Sequence, residues 1–178
     1  RYGSNKVGLA SIDFSAVDLF APSVRMDFQL DADSLDIMGR SFDSLSVRMS
    51  YSDPRGEVDL FLMRSKDENY QARIAFEDAF PARLLNIDEL SFNFPDERWN
   101  LGGPSRVFWD SDGLSFEDFR LIRPGPDGLR FQTEGRFPFE GEADLEVLIE
   151  NLDVSRVSHL FRWDESLAGV VDLTFNLA

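Results

Sequence analysis

Between Glu142 and Asn151 the chain alternates residue by residue. Ala143, Leu145, Val147 and Ile149 fall on one side of an extended backbone, and Glu142, Asp144, Glu146 and Glu150 fall on the other. Leu148 is the single exception. Successive side chains of a strand point to opposite faces, so this spacing makes a ribbon with one apolar and one acidic surface. Wound into a helix, the same residues would be spread around the whole circumference.

The pattern recurs along the chain. Val24, Met26, Phe28 and Leu30 alternate with Arg25, Asp27, Gln29 and Asp31, and Leu35 to Gly39 predicts a short separate strand. Leu45, Val47 and Met49 repeat the alternation up to Asp53-Pro54-Arg55-Gly56, which reads as a turn because Pro presets one dihedral and Gly permits another. Leu60 to Met63 breaks strict period two and predicts burial on both faces or a bulge. Tyr70, Ile74 and Phe76 form the next apolar row. Residues 78–85 read as a break, with a helical turn interrupted by Pro81. Leu90, Phe92 and Phe94 then return to strand phase.

The second half keeps the rhythm. Gly102-Gly103-Pro104 separates Trp99 and Leu101 from Val107 to Trp109, and Asp112-Gly113 is the strongest two-residue hairpin signal. Leu114 and Phe116 are followed by Phe119 and Leu121, one residue out of phase. Leu129 and Phe131 follow a Pro/Gly turn, and Val171, Leu173 and Phe175 close the chain. Residues 153–161 predict the one helical turn, capped by Asp153 or Ser155. Residues 1–23 form an N-terminal edge of mixed signals, in which Val7 to Phe14 suits a strand; residues 24–178 read as one repetitive domain, part of a longer chain.

About a dozen short strands joined by turns predict an all-β fold, mostly antiparallel because the connections are too short for crossovers. Two architectures suit one apolar and one charged side per strand: a packed sandwich, and a long curled sheet. Phe, Trp or Met recurs on the apolar side in nearly every segment, with no helices to cover it. The expectation is therefore a curled sheet, an open groove or U-shaped half-barrel with an apolar interior and charged exterior.

Composition narrows the chemistry. Thirty-three acidic against 18 basic residues leave a net charge of −15, a field that repels phosphate backbones and argues against nucleic acid as a partner. There is no cysteine and one histidine, so thiol catalysis, disulfides and a zinc site lack their residues. His159 has no Gly-x-Ser-x-Gly elbow to serve. Asp110-Ser-Asp112-Gly113 superficially suits a calcium loop, but Phe108 stands where its first ligand belongs. The carboxylates lie on outward strand positions, which is the pattern of a solvated face. The expectation is a non-enzyme with no catalytic residues, no metal and no cofactor, whose functional surface is the apolar stripe.

Trp99-Asn-Leu-Gly-Gly-Pro104, then Val107, then Asp112-Gly-Leu-Ser-Phe-Glu-Asp-Phe-Arg-Leu121 resembles the recurring unit of the TamB family, the inner-membrane subunits of the translocation and assembly module. Gly135 to Gly141, the alternating strand after it, Asn151 to Phe161 and Leu167 to Leu177 continue the resemblance, which covers about residues 24–178. It implies a periplasmic segment of a protein anchored in the inner membrane, with a bridge-like sheet whose apolar groove carries phospholipid toward an outer-membrane, TamA-like barrel partner. It also implies assistance to outer-membrane protein insertion, so the alternative is a chaperone-like module that pairs with unfolded β-strands. In either case the groove wall would be the apolar positions named above, from Val24 to Phe175.

Overall fold

The computed structural model describes residues 6–18, 24–37, 40–79, 82–95, 97–125, 128–154 and 169–177. They form one 12-stranded sheet: β1 (Lys6–Val17), β2 (Arg25–Ile37), β3 (Arg40–Ser52), β4 (Arg55–Ser65), β5 (Glu68–Ala79), β6 (Ala82–Phe94), β7 (Glu97–Leu101), β8 (Ser105–Trp109), β9 (Gly113–Ile122), β10 (Arg130–Pro138), β11 (Asp144–Asp153) and β12 (Val170–Leu177). Every pairing is antiparallel. Neighbours in sequence are neighbours in the sheet, as short connections require.

β7 and β8 share one place in that order. β7 pairs with the second half of β6, where Phe92 faces Trp99, and β8 with the first half, where Leu85 faces Val107. Both also pair with β9. They are thus two halves of one strand, interrupted at residues 102–104. Pro104 has no amide N–H for a ladder, and Gly103 adopts a positive φ of 156° that residues with a side chain rarely adopt. The Gly102 N–H still donates to the Arg120 carbonyl at 2.8 Å, which keeps the interruption on the sheet.

Several local expectations need correction. Leu35 does not begin a separate strand: β2 runs unbroken to Ile37, and its phase changes at Ser34, which adopts φ 57° while the pairing to β1 and β3 continues. The described residues of 78–85, namely 78–79 and 82–85, are strand and not the helical turn expected, while Pro81 lies outside the described residues. β5 continues to Ala79 and β6 starts at Ala82, with the Arg83 guanidinium on the Asp78 carboxylate at 2.9 Å joining the two arms. Arg55 and Gly56 are strand residues, leaving only Asp53 and Pro54 in the turn, across a cis peptide bond. Leu60 to Met63 pair in regular register with both neighbouring strands, so the run sets apolar residues on both faces, and the register shift comes after it, between Met63 and Ser65. The phase change between Phe116 and Phe119 occurs at Asp118, with φ 54°. Val7 to Phe14 is indeed strand, inside a β1 that belongs to the same sheet. The helical turn of 153–161 lies outside the described residues except for Asp153, which ends β11, and Val154.

Contacts between elements run between neighbours in the sheet, so no second sheet packs on either face among the described residues. The sandwich is therefore not the architecture. A single layer also explains the small core: only Ala32, Leu35, Val107 and Leu129 are buried apolar residues among those described. The chain exposes 12485 Å², where a compact monomer of 20.3 kDa is expected to expose about 8800 Å².

Candidate functional site: an uncovered apolar sheet face

Register decides which side chains share a face, because directly opposed residues of an antiparallel pair point the same way. From β2 to β3, Met26 faces Tyr51, Phe28 faces Met49 and Leu30 faces Val47. From β3 to β5 the rows continue through Leu45, Leu62 and Tyr70, and through Met49, Val58 and Ile74. Tyr70 then faces Phe92, Ala72 faces Leu90, and Phe76 faces Leu85. Val107 faces Phe116, and Trp109 faces Leu114. Phe131 faces Ile149, which faces Leu173; Thr133 faces Val147, which faces Phe175; Leu145 faces Leu177. Phe94, two residues after Phe92, meets Glu97, and Val171 lies opposite Leu152.

Every strand residue expected on the groove wall therefore lies on one continuous face, spanning eleven ladder positions. Leu129 is buried beside the start of β10, its carbonyl accepting from the Arg123 N–H at 2.9 Å. Val24 precedes β2 in phase with Met26, its carbonyl accepting from the Asp53 N–H at 3.0 Å. The face also takes in residues the sequence reading left out. Ile12 and Phe14 on β1 face Leu30 and Phe28, and remain 65% and 63% exposed. Their signal was present, since Ile12 and Phe14 already stand two apart. Leu60 and Leu62 were masked by Phe61 and Met63, which turn to the other face opposite Ser46 and Ser44.

The opposite face is polar and cross-linked by charge. Arg73 bridges Asp59 at 2.9 Å on one neighbouring strand and Glu89 at 3.8 Å on the other. Arg55 pairs Glu77 at 3.2 Å, Arg106 pairs Glu117 at 3.0 Å, and Arg130 pairs Glu150 at 2.9 Å. These exposed pairs contribute at most about 1 kcal/mol each, but a slip by one residue would set every one of them against an apolar row. The hollows described between strands, such as the one lined by Asp27, Arg48, Ser50 and Asp59, lie largely on this polar side.

Polar and charged groups interrupt the apolar face at several places, among them the Asp78–Arg83 pair opposite Trp109. Ser105 is 1% exposed and donates its hydroxyl to the Glu117 carbonyl at 3.1 Å; Thr133 is also buried. Glu68 accepts from the Tyr70 hydroxyl at 2.6 Å and from Arg64 at 3.1 and 2.9 Å. Glu97 accepts from Trp99 Nε1 at 3.2 Å and from Arg123 at 3.0 Å. Burial, then the bond to Glu68, pushes the Tyr70 hydroxyl up to about 12.

At Asp110 the carboxylate accepts two bonds from Arg136, at 2.9 and 3.1 Å, and the N–H groups of Asp112 and Gly113 at 2.9 Å. These contacts, Arg136 first, hold it below the ordinary carboxylate range. This is hairpin chemistry that closes the β8–β9 turn. No group of His, Asp or Glu among the described residues is arranged to hold a metal ion, and His159 lies outside them. No described helix is long and apolar enough to cross a membrane.

Comparison with protein-family models, with curated proteins and with solved structures returned no match.

Proposed function

We propose that this chain is a non-catalytic segment that carries phospholipid acyl chains against its apolar face. The observation that carries the reading is the continuity of that face. Eleven ladder positions present apolar side chains in register, and no described element covers them. A patch of this extent on a single sheet marks an interaction surface. Each buried methylene contributes about 0.8 kcal/mol, so an acyl chain is held without specific polar contacts. A wall of the same character from strand to strand also lets it move sideways at little cost. The acidic and arginine-rich opposite face keeps that side in water.

The resemblance to the TamB family supports a specific setting. In it the sheet curls into a groove in the periplasm, within a protein anchored in the inner membrane, and passes lipid toward an outer membrane where a TamA-like barrel is the partner. Native mass spectrometry of the purified chain, with solvent extraction of what co-purifies, tests the reading. Bound phospholipid that is lost in Val147→Asp is the expected result. A folded, lipid-free wild-type chain after exposure to phospholipid vesicles would overturn it.

A second reading, a chaperone that pairs with unfolded outer-membrane protein strands, is favoured by the sheet edges. β1 and β12 each have one pairing partner among the described residues. Only Lys6 and Asp13 carry charge on β1, and only Asp172 on β12. Edges that must avoid pairing usually carry more charge than this. A photocrosslinker at Ile12 that captures unfolded barrel peptide, with none captured from a residue at the centre of the sheet, is the outcome that would favour it.

A further inference from the structure

The apolar face ends on two rims of different charge. Alternating strand direction places the turns after β1, β3, β8 and β10 along one rim and those after β4, β6 and β9 along the other. The described turn residues of the first rim include Asp18, Asp53, Asp110, Asp112, Glu140 and Glu142 and no base, with Arg25, Arg55 and Arg83 at the strand ends beside them. The second rim has Lys66, Asp67 and Arg123 in its turns, and at the strand ends Arg40 and Arg64 stand beside Asp36, Glu68 and Glu97, so its bases and acids balance. Here the apolar rows end in two built clusters of the same kind. Glu68 holds Tyr70 and Arg64, and Glu97 holds Trp99 and Arg123. Tyr70 and Trp99 both face Phe92, so each ring lies on the apolar face while its polar atom turns to the rim. The Arg40 charge also reaches the Tyr70 hydroxyl.

Such aromatic groups, apolar in body and wet at one tip, suit a boundary between hydrocarbon and water. Guanidinium groups at that boundary recognise phosphate through charge-assisted bonds. On the other rim the six turn carboxylates outnumber the three strand-end arginines, and the excess negative charge repels it. We infer that the rim of Arg40, Arg64 and Arg123 is the head-group rim, seating the phosphate of a glycerophospholipid whose acyl chains lie on the apolar face. This assignment rests on the acyl-chain reading above and adds a direction to it.

Among the described residues the two rims carry one tryptophan each: Trp99 on the arginine rim and Trp109, under the Arg83 guanidinium, on the acidic rim. Fluorescence quenching therefore reads head-group position directly. Two versions of the chain of residues 1–178 are compared, both with Trp163→Phe, one with Trp109→Phe and one with Trp99→Phe. Each is loaded with phosphatidylethanolamine carrying a nitroxide on its head group, or with phosphatidylcholine carrying it at mid-chain. The head-group label is expected to quench Trp99 severalfold more than Trp109, and the preference to fall toward parity in Arg40→Glu/Arg64→Glu. Quenching by the mid-chain label with equal or reversed head-group preference overturns the rim assignment and leaves acyl-chain binding standing. A preference unchanged by the charge reversal also overturns it. No quenching by either label overturns both.

Discussion

The rings of Tyr51 and Phe76 stack 5.9 Å apart and 8° from parallel, although a whole strand lies between theirs. Gly56 makes this contact possible. It faces Tyr51 on β3 and Phe76 on β5, and a Cβ there would come within 2.3 Å of the Phe76 ring and 2.8 Å of the Ser50 carbonyl. Two aromatic rings therefore close over a glycine, supplying the packing that its missing side chain cannot.

Gly56→Ala should destabilise the chain by about 1–3 kcal/mol, the usual cost of forcing a methyl group into an occupied site. Urea unfolding measures it. Adding Phe76→Leu should recover part of the loss, because the ring is the flexible obstacle. A neutral Gly56→Ala would mean that the rings do not meet over the glycine.

Tyr70 predicts behaviour in alkali. Its folded-state value is raised from 10.0 to about 12, by burial first and then by Glu68. A raised value means that the unfolded chain loses its proton first as pH rises. The Tyr70 contribution is fully present below pH 10 and is lost as pH climbs toward 12. Unfolding midpoints across that range should fall less steeply in Tyr70→Phe. An identical slope in the two chains would contradict the buried, Glu68-bound hydroxyl.

Asp110 predicts the opposite limb. Its carboxylate is held below the ordinary 3.8 by Arg136 and by the N–H groups of Asp112 and Gly113. A depressed carboxylate contributes stability above its unfolded value, and that contribution is lost as pH falls through the folded one. Acid destabilisation below about pH 4 should be shallower in Asp110→Asn, and the variant should already be less stable at pH 7. Equal acid limbs would place the hairpin's stability elsewhere.

Asn151 adopts φ 58°, and its N–H donates to the Asp172 carboxylate at 2.7 Å. A β-branched residue pays steric energy in this left-handed region, so Asn151→Val should cost about 1–2 kcal/mol, whereas Asn151→Gly should stay close to wild type. Thermal unfolding of the pair separates backbone conformation from side-chain bonding. Equal losses in both variants would assign the cost to the side-chain bond from Asn151 to the Gly128 carbonyl, 3.3 Å away.

The all-β class and the face of most strand residues were legible in the sequence. Period two is a local property, so Met26, Phe28 and Leu30 had to point together whatever they packed against. The groove residues expected on the strands do share one face for that reason. Nothing local could say that Ser34 would kink β2 without ending it, because the pairing on both sides carries the strand past a left-handed residue. Phe61 and Met63 hid the phase of β4, which only its pairing with β3 and β5 resolves. Gly56 read as a turn residue because its partners, Tyr51 and Phe76, are brought to it by register.

The rims are a tertiary fact in the same sense. Arg64 is four residues from Glu68, but Arg123 reaches Glu97 across 26 residues, and only antiparallel meandering puts both clusters on one border of the sheet. The sequence by itself determined that each strand has an apolar and a charged side, because side-chain direction follows from backbone geometry alone. The tertiary structure decided which strands align, which polar groups end the apolar rows and which charges gather on each rim, because hydrogen-bonded register joins residues that sequence separation keeps apart.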